Sequence, residues 1–461
     1  MTDAVEVCIL GAGPAGTTLA ARLAALGHDV AVVERLRFPR AHVGESLSVA
    51  VWPLLDELGL RGRVADAGFV ATEVARVRWR DDDEQRVRVP GGLTVDRGAF
   101  DALLLDRARE AGARVLTLSR AGRPRRRAGG WDVAVGERVL RARFVADATG
   151  RRRLLGGRST ATAPRTLGLH AVCQPGPAPD GTQTRIDALA GGWLWGAHLP
   201  GGGFRAMAFV DPAALRAAGG DRSRLVHGLL SASPLFAELA CGTVGRVQAC
   251  DATCYAAPAP IDATSVRVGE AAFAIDPLSS SGVQTAIGTG LAAAAAVHTI
   301  LADDGDAQAA IDYYAAYQRH AVTSHATSAA AIYSEHRTNA DQPFWRLRSS
   351  ALAARPPVAP AAPPVDLLAR PVRLASGATL ASTSCIVGDR VQRRRALTHP
   401  ELDRPVAFLG GAELAPLLDI LPQAPSLAHV IARWDALLPT GRAEAIADWL
   451  QARGMLAERV S

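Results

Sequence analysis

The sequence predicts an α/β chain in which a Rossmann-like dinucleotide-binding domain, assembled from separated stretches, is followed by a small α+β C-terminal domain. Three observations carry that prediction. Residues 5–34 read as strand, glycine turn, helix, strand and acid. Two strand-ending loops of related character recur far downstream, at 143–151 and 266–290. After a proline-rich stretch at 355–365 the pattern changes to short strands followed by three helical segments.

The N-terminal stretch is the most informative. Val5–Leu10 (VEVCIL) is an apolar run of strand length that leads into Gly11-Ala12-Gly13-Pro14-Ala15-Gly16 and then the helical segment TTLAARLAAL. Gly27 closes that helix, and Asp29–Val33 (DVAVV) reads as a second buried strand ending in Glu34. A G-x-G-x-x-G string is weak by itself in a chain with 44 glycines, but here strand, turn, helix and acid fall in order. Glu34 comes twenty-one positions after Gly13, the spacing of a ribose-binding carboxylate. Gly11 permits the turn, Gly13 admits a pyrophosphate, and Gly16 lets the helix pack on the strand. The helix N-terminus then offers donors and partial positive charge to the phosphates.

Composition narrows the class. The 461 residues are 49% hydrophobic and 21% charged, with a mean hydropathy of +0.10, which fits a folded globular protein and excludes a mainly disordered one. The alanine-rich run at 291–301 is too short for a bilayer span and contains His298. A strand begins within a few residues of Met1, leaving no room for a signal peptide, so the expectation is a cytoplasmic protein without a membrane partner. Lys+Arg number 51 against 45 acids, for a net charge of +6, and no lysine occurs anywhere. Chemistry that needs a lysine amine is therefore excluded. The arginine runs Arg125–Arg127, Arg151–Arg153 and Arg393–Arg395 are scattered and lack interleaved aromatics, which reads as solvated loops rather than a nucleic-acid surface. Among six cysteines only Cys250 and Cys254 are close, inside the strand-like VQACDATCYA, so neither a metal site nor disulfides are expected.

The later loops decide which dinucleotide. RFVADATGR at 143–151 ends a strand in Asp147-Ala148-Thr149-Gly150, and VRVGEAAFAIDPLSSSGVQTAIGTG at 266–290 passes through an acidic turn, a Pro-Ser-Gly loop and a helix. These segments resemble the later fingerprints of flavoprotein monooxygenases related to aromatic hydroxylases and flavin-dependent halogenases. FPRAHVGESL at 38–47 is similar to that family's P-R-x-x-x-G-E-S-L stretch beside the flavin, and VDRGAFD at 95–101 opens a helix to Glu110 with Arg97 at the position of a cofactor-contacting arginine.

The resemblance spans roughly residues 1–350 and implies FAD as cofactor. It implies contacts from Gly11, Gly13, Pro14, Ala15, Gly16, Glu34, Arg35, Arg40, Ser46, Arg97, Asp147, Gly269, Glu270, Pro277, Gly282 and Val283. Glu270 stands where the family usually has aspartate, and the Asp276–Gly282 loop runs past the isoalloxazine ring. It also implies a discontinuous FAD-binding domain at 1–70, 91–155 and 250–350, with an inserted, mainly antiparallel β-sheet substrate domain at 71–90 and 156–249. A proline-rich linker at 351–365 and a C-terminal domain at 366–461 complete the chain.

Two halogenase signatures are altered. In the stretch Ala67–Trp79 the family lysine is missing, leaving Glu73 and Arg76, and the W-x-W-x-I-P motif becomes Gly192-Trp193-Leu194-Trp195-Gly196-Ala197-His198-Leu199-Pro200. Arginine stays protonated and does not replace the lysine chemistry. The expectation is thus oxygen transfer from a flavin C4a-hydroperoxide to an electron-rich ring, with molecular oxygen as co-substrate. His198 and Glu45 are the candidate proton-handling residues, each also readable as a structural group. His42, Trp193 and Trp195 are expected to line the substrate site, and Tyr313, Tyr314 and Tyr317 to pack in the core. No second glycine-rich fingerprint appears, so electrons come from transient NAD(P)H or a partner flavin reductase.

In the tail, Val365–Leu374, Ser384–Gln392 around a Gly388-Asp389 turn, and Pro405–Leu409 read as short strands. Helices are expected over Glu413–Leu421, Leu427–Leu438 and Arg442–Gly454, with Ser426 and Thr440 as caps. This order resembles a winged-helix or peptide-recognition module. Together with Phe344-Trp345-Arg346-Leu347-Arg348 it makes the chain similar to tryptophylquinone maturases, which hydroxylate a tryptophan within a partner polypeptide. The alternative is a hydroxylase or halogenase of a small aromatic natural product.

Overall fold

The apolar run after Met1 becomes the inner strand of a seven-stranded sheet, Thr2–Leu10, flanked in parallel by Val30–Val33 and Arg138–Asp147. Arg114–Leu116 extends one side and Ser265–Arg267 the other, both parallel, while Gly130–Val135 and Arg125–Arg127 add antiparallel strands. The helix Pro14–Ala25 follows the first strand directly, with Pro14 at its first turn. This computed structural model of the chain describes residues 2–174, 183–239, 243–350 and 367–459. The proline-rich linker expected at 351–365 lies outside the described residues.

Two compact units emerge, Met1–His298 with Tyr317–Ala354, and Thr299–Ala316 with Arg355–Ser461. In the first unit a nine-stranded sheet stands beside the Rossmann-like one. Its neighbours are antiparallel except where Thr184–Leu189 runs parallel to Val70–Arg78. Side chains alternate between its faces. Leu169, Ala171, Leu194, Phe204, Ala206 and Ala208 pack against Val226, Leu230, Leu235 and Phe236 of the short helices behind. On the opposite face Trp193, Trp195, Met207 and Phe209 join Trp79, Tyr333, Phe344 and Trp345. These rings fill the space themselves: Trp193 stacks on Phe209 at 4.1 Å, and Trp79 meets Trp345 edge-on at 5.2 Å.

The helix Gly282–Leu301 is longer than the alanine run alone suggests. It is long and apolar enough to cross a membrane by length and composition, and most of it is buried inside the protein. Two of the three arginine runs are strand segments rather than loops. Arg125–Arg127 is an exposed edge strand, and Arg393–Arg395 lies within Arg390–Thr398, where Arg393 reaches Asp306 and Asp312 and Arg395 reaches Asp419.

In the second unit Thr379–Val387 and Arg390–Thr398 form one long hairpin around Gly388-Asp389, with Gly388 at φ +61°. The strands extend beyond the expected Ser384–Gln392 because serine and threonine pair across the ladder as readily as apolar residues there, as at Thr379 and Thr398. Three helices follow, Leu414–Leu418, Leu427–Asp435 and Arg442–Ala452. Ser426 caps the middle one by accepting from His429 N–H at 3.2 Å. Thr440 caps nothing; Gly441, at φ +75°, takes the N-cap position. Trp434 is fully buried among Leu397, Leu417, Leu427 and Leu450, and its Nε1 donates to the Leu417 carbonyl at 3.0 Å. Trp434→Ala is expected to cost about 3–5 kcal/mol, melting this unit early while the purified protein keeps its flavin. Calorimetry with flavin absorbance checks it; a single unshifted transition refutes it.

Candidate active site

The phosphate-binding turn is built by close contacts that only glycine allows. Gly11 sits at φ +102°, and a Cβ there would lie 2.5 Å from the Ala148 carbonyl oxygen. A Cβ on Gly16 would lie 2.1 Å from the Gly11 carbonyl oxygen, so helix and strand are in contact at that point. Gly13 differs. It is the N-cap at φ −74°, without a side-chain cap, and its missing Cβ would meet only Arg40 Nη2 at 3.6 Å. Open space, uncapped N–H groups and a guanidinium thus converge in front of the helix. Arg40 Nη2 lies 3.2 Å from Asp101, while its buried Nε–H has no acceptor. That orphaned donor beside a helix N-terminus suits a pyrophosphate, and the residues present fit FAD. Pro14 and Ala15 form the first turn behind it, and Arg35 projects into solvent.

Glu34 ends the second strand with its carboxylate accepting from Ala12 N–H at 2.9 Å and Leu36 N–H at 2.8 Å. It therefore shapes the glycine turn itself. Asp147 is a correction to the expected contact set. It is 0% exposed, and its oxygens take up Thr149 N–H, Thr149 O–H and Leu155 N–H. With those donors taken up, Asp147 holds the 148–155 loop. Arg97 is likewise spent on protein groups, pairing with Asp101 and donating to the Val43 and Gly44 carbonyls. Gly269, at φ +58°, brings its loop against Ala15, while Glu270 is exposed and paired with Arg151 at 3.2 Å. Asp276 caps the turn Pro277–Ser279 through Leu278 N–H, Ser280 takes a left-handed φ of +48°, and the helix begins at Gly282 and buried Val283.

Glu45 is 3% exposed, with Ser46 beginning the short strand after it. Its carboxylate accepts from Gly44 N–H and from Arg205 Nε, each at 2.9 Å. Arg205 Nη1 lies 3.4 Å from His170 Nδ1. Burial, and then the Arg205 charge, hold the His170 imidazole below the usual histidine range. His42 is exposed, with Nδ1 2.7 Å from the Val43 carbonyl oxygen; desolvation by the groups around it, and then the Arg97 guanidinium, depress it as well. Arg205 and His170 escaped the sequence reading. The available signal was a lone polar residue in an apolar strand, FRAMAFV and LGLHAVC.

His198 is a second correction. It pairs in register with Phe204 and packs edge-on to that ring at 5.1 Å, on the sheet face away from Glu45. Ala197, one residue earlier, is the position opposite Arg205. Strand alternation sends adjacent residues to opposite faces, and proximity in the motif does not change this. Arg76, from the stretch lacking the family lysine, also faces away. It is buried in a network with Glu84 and Glu238 beside Arg185, and those carboxylates raise its affinity for its proton further. Trp193 and Trp195 do share the Glu45 side but are buried in the ring cluster, 2% and 7% exposed. The Phe344–Arg348 segment is a staple: Arg348 lies 3.8 Å over the Phe344 ring and bonds Asp211 and Thr166.

The glycine turn, the Asp276–Gly282 loop and the aromatic sheet face belong to a flavin-dependent oxidoreductase. The tryptophan halogenase family model matches residues 69–359, and the chain belongs to that family; its cofactor is FAD. The tryptophan 2-halogenase of Chondromyces crocatus is 29% identical over 345 residues, 69% of this chain. The match spans 66% of that enzyme, just under two thirds of its length. The solved structure of QhpG, a peptidyl tryptophan dihydroxylase essential for tryptophylquinone cofactor biogenesis, is 26% identical. It covers 98% of this chain and 99% of that one with a TM-score of 0.77. The flavin-dependent halogenase CmlS shares the fold over 100% of this chain and 97% of its own, at 21% identity and a TM-score of 0.77.

Proposed function

We propose that the protein is a monooxygenase that hydroxylates a tryptophan residue in a partner polypeptide during biogenesis of a quinone cofactor. The observation that carries the reading is the absence of any lysine, together with Arg76 turned to the far side of the sheet, so no amine is available to carry an activated halogen. Likeness to the peptidyl tryptophan dihydroxylase along nearly the whole chain supports it. The self-filled ring cluster on the Glu45 side also favours a substrate delivered from outside over a free ring engulfed there.

Bound FAD supplies oxygen activation, with electrons from NAD(P)H or a flavin reductase and the second oxygen atom of O2 leaving as water. Arg40 and the uncapped helix behind Gly13 hold the pyrophosphate, and Glu34 keeps the turn in shape. Glu45, held by Arg205 and Gly44 N–H, accepts the proton that leaves the ring carbon, and the exposed His42 three residues earlier lines the substrate site. The nine-stranded sheet forms the substrate domain, and residues 366–461 dock the polypeptide at a site that involves no nucleic acid.

The alternative, a halogenase or hydroxylase of a small aromatic natural product, is favoured by the family model and by the Chondromyces relative. One experiment separates the two. Enzyme with reduced FAD, oxygen, bromide and a tryptophan-bearing polypeptide should add oxygen mass alone. A bromine isotope pattern, or turnover of free small aromatics only, refutes the proposal.

A further inference from the structure

Tyr333 stands where the aromatic sheet face meets the loop that begins at Asp276. Its hydroxyl lies 3.2 Å from both carboxylate oxygens of Asp276, and Trp193 Nε1 donates to it at 3.2 Å. The phenol is 2% exposed, and its ring is held by Trp79, Phe344 and Trp345 at centroid distances of 6.0, 6.2 and 5.9 Å. With Trp193 donating to its oxygen, the one hydroxyl hydrogen of Tyr333 is directed to the carboxylate. Asp276 in turn caps the turn that sets the direction of the loop as far as Gly282. A single hydroxyl thus ties a strand of the sheet to the loop.

We propose that Tyr333 is a positioning residue for the flavin, anchoring the Asp276 carboxylate and through it the Asp276–Gly282 loop. The inference rests on the reading of that loop as the flavin edge. Tyr333 faces Asp276 from the helix Ala307–Ser334, Arg348 from Pro343–Ser349, and Cys254 from the segment after Gln248–Asp251, with His325 in the lining of the same cavity. A cavity lined by these residues and Pro164 reaches the pair. Burial pushes the Asp276 carboxyl up, while Leu278 N–H, Tyr333 O–H and the Arg348 charge pull it back down. Removing the phenol hydroxyl takes away one of these opposing groups. The acid then takes its proton at a higher pH than in wild type, and from there down the loop loses the carboxylate that caps it. Burial lifts the Cys254 thiol to about 12 and lowers His325, so both shifts favour the neutral form beside Asp276.

FAD affinity of the full-length protein, measured by ultrafiltration as a function of pH, reads this directly. Tyr333→Phe should lose affinity at a higher pH than wild type and bind about tenfold more weakly where the two profiles differ most. Adding Asp276→Asn should abolish the pH dependence. A Tyr333→Phe profile that coincides with wild type, or a pH dependence that survives Asp276→Asn, overturns the proposal. Where Tyr333→Phe does not fold, Asp276→Asn alone decides: about tenfold weaker, pH-independent binding supports it, and wild-type affinity overturns it. Wild-type protein that takes up no FAD would instead overturn the flavin-site reading beneath it.

Discussion

Gly13→Ala is expected to leave the protein folded and colourless, whereas Gly16→Ala is expected to cost the fold itself. The two glycines stand three residues apart in one motif, yet their surroundings differ. An added methyl at Gly13 finds nothing nearer than Arg40 Nη2 at 3.6 Å and inherits an ordinary φ of −74°. It occupies the volume that a pyrophosphate needs and should weaken FAD binding at least about a hundredfold, close to 3 kcal/mol. At Gly16 the same methyl falls 2.1 Å from the Gly11 carbonyl and 2.9 Å from the Ala148 Cβ, so strand and helix must separate. Thermal melting and flavin absorbance of both variants check this. A Gly13→Ala protein that retains its flavin would show that the cofactor lies elsewhere.

Arg205→Met should be nearly as damaging, for an electrostatic reason. Glu45 is buried, and Arg205 is its cationic partner at 2.9 Å. Deleting the arginine strands a carboxylate in the interior, at a cost of about 3–5 kcal/mol. Glu45→Gln alone should cost less, because the amide oxygen still accepts from Arg205 and no buried anion is left. The double variant should recover much of the stability lost in Arg205→Met, since neither charge is left alone. Denaturant titration of the three proteins measures the coupling. Strict additivity would mean that the pair contributes nothing to the fold.

How much of this was legible in the sequence depended on whether the decisive contact was local. The glycine turn was readable because Gly11 and Gly16 meet each other and Ala148, a strand end with its own motif. Trp193 and Trp195 were readable from the resemblance to the W-x-W-x-I-P motif, and the period of two then puts both on one face. The same period defeated His198, since a motif marks a neighbourhood but only the register with Phe204 says which face a residue takes. Arg205 and Tyr333 were hidden for a different reason. Their partners, Glu45 and Asp276, are 160 and 57 positions away, and no spacing rule reaches so far. Asp147 was expected as a ligand from the family resemblance of RFVADATGR; its bonds from Thr149 and Leu155 belong to the loop it folds.

The ring cluster has an optical consequence. Of the 8 tryptophans, Trp79, Trp193, Trp195 and Trp345 share one cluster, and edge-on contacts at 6.0 and 5.2 Å join the first to the second and the last. Indoles held rigidly at such separations couple their transition dipoles and give a strong, signed near-ultraviolet dichroism. Trp434 and Trp449 sit in a different unit and do not belong to that ensemble. The chain therefore carries a native chromophore for the face beside Glu45, so rearrangement there can be followed without a label.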